Sequence, residues 1–475
     1  MKTIHKAVIS SSAAQYGTAA IALVSSMLVA RLLTPGQIGT FAIASAVVGI
    51  MAEFKMLGAG AYLIRENEID AQKIRRALGL TLIISWGLGL LIFFGAPLIQ
   101  TFYGVEGVAG VFRILSISFF AAPFFSIAMA LMHRQFDFNT PLKLKLIGAV
   151  TGLVVTLVMI YFGFSFYALA WGAASIILIQ LAVACFIRSV SIYWVPRFDG
   201  ILSIARFGIF NSSTNLLKNA VSSLPDMIIG KMGTTTQVGL FSRGLGLVKF
   251  LSGTIQMGAT PVALPYLSNA RRQGSDIVQA YTIASQLLTA VVWPVLAVAA
   301  VASLPTMRLF FGDQWDEAAL LASWLALWLI LRSTHHLANN LLIASGFEKW
   351  MLAKEFAVFL VVLFMIPLAF QFGLVTVAKG FVLAGIVEVG LVSWMLRRLL
   401  KLSVRRYFAS LSGSIGMTLV CGAVTVVISW FIDFETAHYW KPILVIAVIL
   451  PLTWIASALV LRHPIAREIR YVIGW

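Results

Sequence analysis

The sequence predicts an all-α polytopic membrane protein with fourteen transmembrane helices, in two repeat-related six-helix lobes around a central cavity plus a C-terminal helix pair. Three observations predict it. Of 475 residues, 60% are hydrophobic and only 11% charged, with a mean hydropathy of +0.94; soluble domains are about one quarter charged. Apolar stretches of the roughly 20 residues that a helical crossing needs follow one another almost end to end, without the period-2 alternation of a membrane barrel. A short junction motif also recurs later in the chain.

The first apolar stretch, 11–33, follows Lys2 and Lys6. It is too long for a signal-peptide core and lacks a small-residue cleavage site, so it reads as a retained span. Polar punctuation separates further spans at 37–63, 77–103, 109–133, 141–163 and 167–188, which complete an N-terminal lobe over 1–200. A second lobe, 201–400, holds spans at 201–230, 235–265, 282–311, 316–345, 351–372 and 374–399. The remainder, 401–475, carries the pair 407–432 and 440–461. The seventh span, with FNSSTNLLKNAVSSLPD, is the most polar.

Loop charge tests this count, because cytoplasmic loops concentrate Lys and Arg. With the N-terminus in the cytoplasm, Lys73, Arg75, Arg76, Arg271, Arg272, Arg397, Arg398, Lys401, Arg405 and Arg406 all fall on that side. The outer side receives only Arg31, Arg113, Lys231, Arg308, Lys379 and Lys441. Both termini are therefore expected in the cytoplasm. The loops are short, so the formal charge of +17 does not describe a nucleic-acid surface. Cys185 and Cys421 read as small apolar fillers without metal spacing. No cofactor is expected, and the absence of a nucleotide-binding P-loop argues against direct ATP use.

The junction ARLLTPGQIGTF at 30–41 aligns without gaps with GKMGTTTQVGLF at 230–241: Arg31 with Lys231, Thr34 with Thr234, Gln37 with Gln237, Gly39 with Gly239 and Phe41 with Phe241. Both join an odd span to an even one, six spans apart, so the repeat is parallel and its axis follows the membrane normal. Transporters built this way hold substrate where the repeats meet. The segment RLLTPGQIGTFAIASAVVGIMAEFKMLGAG resembles the first outer turn and second helix of Wzx-type polysaccharide flippases. These form the polysaccharide-transporter branch of the MOP (MATE-like) superfamily. Gly36-Gln37 and Met56 stand where relatives often carry acidic residues, so ion coupling is not carried over from those positions.

Polar residues inside the spans mark the candidate site. Asn211, Asn215, Lys218, Asn219, Ser222 and Asp226 form one stripe on the seventh span at 100° per residue. Interhelical hydrogen bonding explains one or two of these more easily than six, so the stripe is read as facing a water-filled cavity. The first span carries a milder stripe of Ser11, Gln15, Thr18, Ala22 and Ser26. In LRSTHHLANN, Arg332, His336 and Asn339 share a helical face with His335 at its margin, and adjacent histidines pointing about 100° apart do not favour a metal site. His336 reads either as a buried hydrogen-bonded residue or as a substrate or proton contact. Arg243 lies in the outer half of its span and Lys249 near the middle, while Lys55 either lines the lumen or snorkels to the interface. Against these cations stand three carboxylates, Glu53, Asp226 and Glu388, each either an ion-coupling group or the structural partner of a nearby cation.

An excess of cations at membrane depth suits an anion. Arg31, Lys218, Lys231, Arg243, Lys249 and Arg332, with Asn211, Asn215, Asn219 and His336, are the candidate substrate-binding residues. Arg would clamp phosphate through its fork and Lys would act as a point charge. The resemblance implies the same ligand: a polyprenyl-diphosphate-linked oligosaccharide moved across the bacterial cytoplasmic (inner) membrane by alternating access. A proton or sodium counter-ion and polysaccharide polymerase machinery are candidate partners, and the resemblance is consistent with a hydrophobic groove for the lipid tail at the final pair, whose apolar runs carry no charge. A MATE-like multidrug or cation antiporter would instead need an acidic lumen, and a membrane polysaccharide polymerase or ligase would need a large outer loop.

Overall fold

The computed structural model describes the backbone of residues 2–55, 59–66, 68–135, 137, 139–187, 191–436 and 438–468, and side chains within that set except 2–14, 61, 65, 202–203 and 206–213. The described residues are helical, without strands. Eleven stretches are long and apolar enough to cross a membrane, counting the interrupted Asp313–Ser345 as one. The chain is a multi-pass membrane protein. It divides into two compact units, Met1–Gly239 and Leu240–Trp475.

The first unit contains α1 (Lys2–Leu32), α2 (Pro35–Phe54), α3 (Ala59–Arg65), α4 (Ala71–Tyr103), α5 (Val108–Arg134), α6 (Asn139–Tyr161), α7 (Tyr167–Phe186) and α8 (Ile201–Met232). Helix α4 pairs with α5, α6 with α7, α1 with α6, and α8 packs on α2, α3 and α4. Where one continuous span 37–63 was expected, the helix stops at Phe54 and resumes as α3. Arg134 of α5 donates to the carbonyls of Leu63 and Ile64, 3.0 and 3.4 Å away, which supplies partners at the end of the short helix. Pro123 lacks the N–H that the Phe119 carbonyl would accept within α5. Ser85 Oγ of α4 donates to that carbonyl at 2.6 Å instead.

The repeated junction has a physical cause for each matched residue. Thr34 caps α2 through a reciprocal box: its N–H donates to Gln37 Oε1 at 2.9 Å and its Oγ1 accepts from the Gln37 N–H at 3.4 Å. Thr234 and Gln237 repeat the box at 3.0 and 3.2 Å as α9 (Thr235–Arg272) begins. The glycines mark a close backbone crossing. A Cβ on Gly39 would stand 1.7 Å from the Thr235 carbonyl oxygen, and one on Gly239 would stand 2.0 Å from that of Pro35. Each glycine thus meets the repeat counterpart of the residue that the other meets.

The second unit continues with α10 (Ile277–Val301), α11 (Ser303–Phe311), a 3-10 turn (Asp313–Trp315), α12 (Asp316–Ser333), α13 (Ala338–Ser345), α14 (Glu348–Phe370), α15 (Leu374–Leu400), α16 (Val404–Ser410), α17 (Ser412–Phe431) and α18 (Trp440–Val460). Helix α10 packs on α12 and α17, α15 on α12 and α14, and α17 on α18. The Ala290 carbonyl, freed by Pro294, accepts the indole N–H of Trp454 at 2.7 Å. The expected spans 282–311, 316–345 and 407–432 are each divided in two.

Candidate functional site

In the first unit the polar stripe lies on a regular helix. Asn215 and Asn219 are exposed, Lys218, Ser222 and Asp226 half-buried, while Thr214, Val221 and Leu224 on the other side are buried. The accessible side chains of Asn215 and Asn219 are therefore not glue inside a helix–helix contact. Asn211, Ser11 and Met56 lie outside the described side chains. Arg31 and Lys231 are exposed in the last turns of α1 and α8, where a cation complements the helix dipole. Lys231 Nζ also donates to the Phe102 carbonyl at the end of α4 and lies 4.5 Å from the Phe102 ring centroid. Glu53 is half-buried in the last turn of α2, and Lys55 beyond it lies 5.1 Å over the Phe119 ring.

The second unit holds Arg243 against two rings, 5.5 Å from Phe311 and 5.7 Å from Trp315. Arg332 lies 5.2 Å over Trp328. Ring faces attract cations through their quadrupole without neutralising them, so an aromatic seat lowers the cost of a charge at membrane depth while leaving its sign available to an anion. Lys249 is half-buried. Arg332 and Glu388 come together, with Nε 3.8 Å from Oε2, in line with the alternative that such a carboxylate partners a nearby cation.

The expectation that Arg332, His336 and Asn339 share a helical face is corrected. The helix stops at Ser333 and restarts at Ala338, so the 100° step does not run through the histidines. His336 Nε2 lies 3.3 Å from Thr260 Oγ1 of α9. His335, expected at the margin, is 7% exposed and joins a buried network: Nδ1 meets the Tyr281 hydroxyl at 2.8 Å and Nε2 meets Ser393 Oγ at 2.9 Å. Tyr407 stacks on its ring at 4.9 Å and donates to the Thr334 carbonyl. The Tyr407 bond pairs a backbone carbonyl at the interruption, and the other two satisfy the buried imidazole away from water.

The count of membrane-depth charges also missed two residues. Lys354 and Glu355 of α14, 8% and 1% exposed, pair at 2.8 Å, and Asn339 Nδ2 donates to Glu355 Oε1 at 3.3 Å. Both lie within the expected span 351–372, and two opposite charges at its start were the signal. They add one charge of each sign, so the cationic excess stands. Among the described residues no cluster has the make-up of a metal site. An apolar groove of about 380 Å³ opens between α10, α17 and α18, lined by Pro294, Val298, Cys421, Leu450 and Trp454 among others. Outside the spans, a hydrogen bond from Arg76 holds the Asp199 carboxyl below its ordinary pKa, and burial lowers that of His463.

Helix order and apolar length define a polytopic helical membrane fold. The chain shares it with the lipid II flippase MurJ in an inward closed conformation, at a TM-score of 0.75 and 15% identity over 97% of this chain and 99% of that one. The match of residues 28–320 to the polysaccharide biosynthesis protein family shows that the chain belongs to that family. The teichuronic acid biosynthesis protein TuaB of Bacillus subtilis (strain 168) is 24% identical over 391 residues, 81% of this chain and 79% of TuaB. The succinoglycan biosynthesis transport protein ExoT of Rhizobium meliloti (strain 1021) is 22% identical over 334 residues, 69% of this chain and 66% of ExoT. The sequence resemblance to polysaccharide flippases is borne out.

Proposed function

We propose that the protein moves a polyprenyl-diphosphate-linked oligosaccharide from the cytoplasmic to the outer leaflet of the bacterial inner membrane, with both termini in the cytoplasm. The observation that carries this reading is the set of cations of the second unit seated on aromatic rings at membrane depth, Arg243 and Arg332 above all; within the first unit, neutral Asn side chains are accessible along α8. Such a lining suits a diphosphate with attached sugars and disfavours a cationic drug. Support also comes from relatives named for teichuronic acid biosynthesis and succinoglycan transport.

On this reading α1, α8 and α9, at 31, 32 and 38 residues, are spans too, and fourteen crossings result. Their lower hydropathy is the consequence of lining a polar pathway. The lobes 1–200 and 201–400, followed by the pair 401–475, form the repeat, which the reciprocal packing of Gly39 and Gly239 supports. The groove beside α17 and α18 takes the lipid tail. Glu53, Asp226 and Glu388 remain candidates for proton or sodium coupling, and polymerase machinery would receive the product.

The test is a charge-deletion series in a strain lacking its own copy, with Lys218, Arg243, Lys249 and Arg332 each changed to Gln. Inserted variants should lose surface glycan while lipid-linked precursor accumulates. Full display in all four would remove the anion-binding reading.

A further inference from the structure

Two ion pairs at membrane depth in the second unit differ in kind. Lys354 and Glu355 touch at 2.8 Å and are almost wholly buried, which makes a closed structural pair. Arg332 and Glu388 stand 3.8 Å apart, with side chains 24% and 9% exposed. That separation exceeds hydrogen-bond reach, so attraction holds the pair without fixing the guanidinium fork on the carboxylate. The more accessible partner is the cation.

The seam between α12 and α15 sets this geometry. Phe381 meets Trp328 edge-on at 4.9 Å between centroids. A Cβ on Gly385 would lie 3.0 Å from Trp328 Cδ1 and 3.2 Å from Leu331 Cβ, so only glycine allows this approach without displacement. One turn further along both helices, Glu388 arrives opposite Arg332, and beyond it Ser393 bonds His335 at 2.9 Å. Glu388 is thus positioned by packing on both sides. Arg332 is also seated on Trp328, 5.2 Å from the ring centroid, a contact that does not depend on the carboxylate.

We propose that Glu388 is the resident counter-anion of Arg332 and that it competes with a diphosphate for this cation. This inference rests on the anion-carrier reading above and gives Glu388 a role in substrate release. An Arg at membrane depth is costly without a compensating charge, and a carrier crosses its cycle empty as often as full. In the empty state Glu388 supplies that charge. In the loaded state it opposes the anion, which keeps affinity low enough for release, the same compromise that conducting pores make between binding and leaving.

Purified protein in phosphatidylcholine nanodiscs would be titrated calorimetrically with farnesyl diphosphate, with farnesol as the uncharged control. Lipid-linked precursor flipping would be followed in parallel. Glu388→Gln should tighten farnesyl diphosphate binding about twofold to fivefold, the scale of a partly accessible ion pair, yet slow flipping because release is slower. Arg332→Gln should weaken binding, and adding Glu388→Gln to it should restore nothing, since the two act on one contact. Glu388→Asp, which keeps the charge but withdraws it by one methylene, should fall between wild type and Glu388→Gln and serves if the latter does not fold. Unchanged or weaker binding in folded Glu388 variants, with wild type binding the diphosphate, overturns the counter-anion role alone. No preference for diphosphate over farnesol in wild type or Glu388→Gln refutes the anion-carrier reading and the inference with it.

Discussion

Gly39→Ala tests the crossing that the repeat builds. The added Cβ would stand 1.7 Å from the Thr235 carbonyl oxygen and 2.6 Å from its carbon. Carbon–oxygen contacts of this kind do not occur below 3.0 Å, so α2 and the start of α9 must separate by at least 1.3 Å. The obstacle is backbone, which has no rotamer to change. Overpacking costs about 1–3 kcal/mol in well-packed interiors, and a rigid backbone contact belongs at the upper end. Alanine itself favours a helix by about 1 kcal/mol over glycine, leaving a net loss of about 2 kcal/mol. Gly49→Ala is the internal control: it is on the same helix with nothing within 4 Å of its Cβ, and it should be neutral or stabilising by up to about 1 kcal/mol.

Gly239→Ala would meet the Pro35 carbonyl oxygen at 2.0 Å and should cost about as much. The double variant should cost less than the sum, because one separation of the crossing relieves both contacts. Thermal unfolding of purified protein reads all four variants. A Gly39→Ala midpoint equal to that of Gly49→Ala would refute the close crossing, and strictly additive losses would refute the reciprocity.

Two further outcomes follow from the second unit. Lys354→Met leaves the Glu355 carboxylate buried without its ammonium partner and should cost about 3–5 kcal/mol, whereas Lys354→Met with Glu355→Leu should recover most of this; thermal unfolding that ranks the double variant below the single one would contradict a closed structural pair. His463 is 3% exposed, and its Nδ1 accepts the Ile465 N–H at 3.2 Å while Nε2 meets Ser414 Oγ at 3.1 Å. Burial lowers its pKa, so the unfolded chain binds the proton first, and stability present above the ordinary histidine pKa of about 6.5 is lost as pH falls below it. The difference in unfolding midpoint between pH 7.5 and 5.5 should shrink in His463→Asn; an unchanged difference would assign the acid sensitivity elsewhere.

Much of the membrane architecture was legible because it depends on local pattern. Apolar length marks a crossing wherever the helix is lipid-facing, and the junction could be matched because a capping box needs Thr and Gln three residues apart. Its glycines were visible as repeated letters, though the reason for them, a carbonyl oxygen on another helix, was not. The breaks were less legible. Nothing in STHHL resembles a helix breaker, and the interruption is supported by Tyr281 and Tyr407, which lie 54 and 73 residues from the groups they bond. A helical wheel drawn through that stretch therefore assigned His336 to the face of Arg332 and set His335 aside, while the buried network was being built around His335.

The candidate site divides along the same line. That a chain this apolar keeps Arg243, Lys249 and Arg332 inside its spans is a sequence fact with a physical cost, and it indicates a polar task. What each cation rests on is a tertiary fact. Trp315 and Phe311 are spaced four apart beside a 3-10 turn, and both reach Arg243 because that turn redirects the chain between α11 and α12. A carboxylate contact neutralises a cation, whereas an aromatic face attracts it through the ring quadrupole and leaves it electrostatically visible. Arg243 meets two rings, whereas Lys354 pairs with Glu355 at 2.8 Å. Arg332 stands between them, 5.2 Å from a ring centroid and 3.8 Å from a carboxylate oxygen. A cation closed by a buried carboxylate can only hold the fold together, whereas a cation on a ring can also hold an anion and let it go.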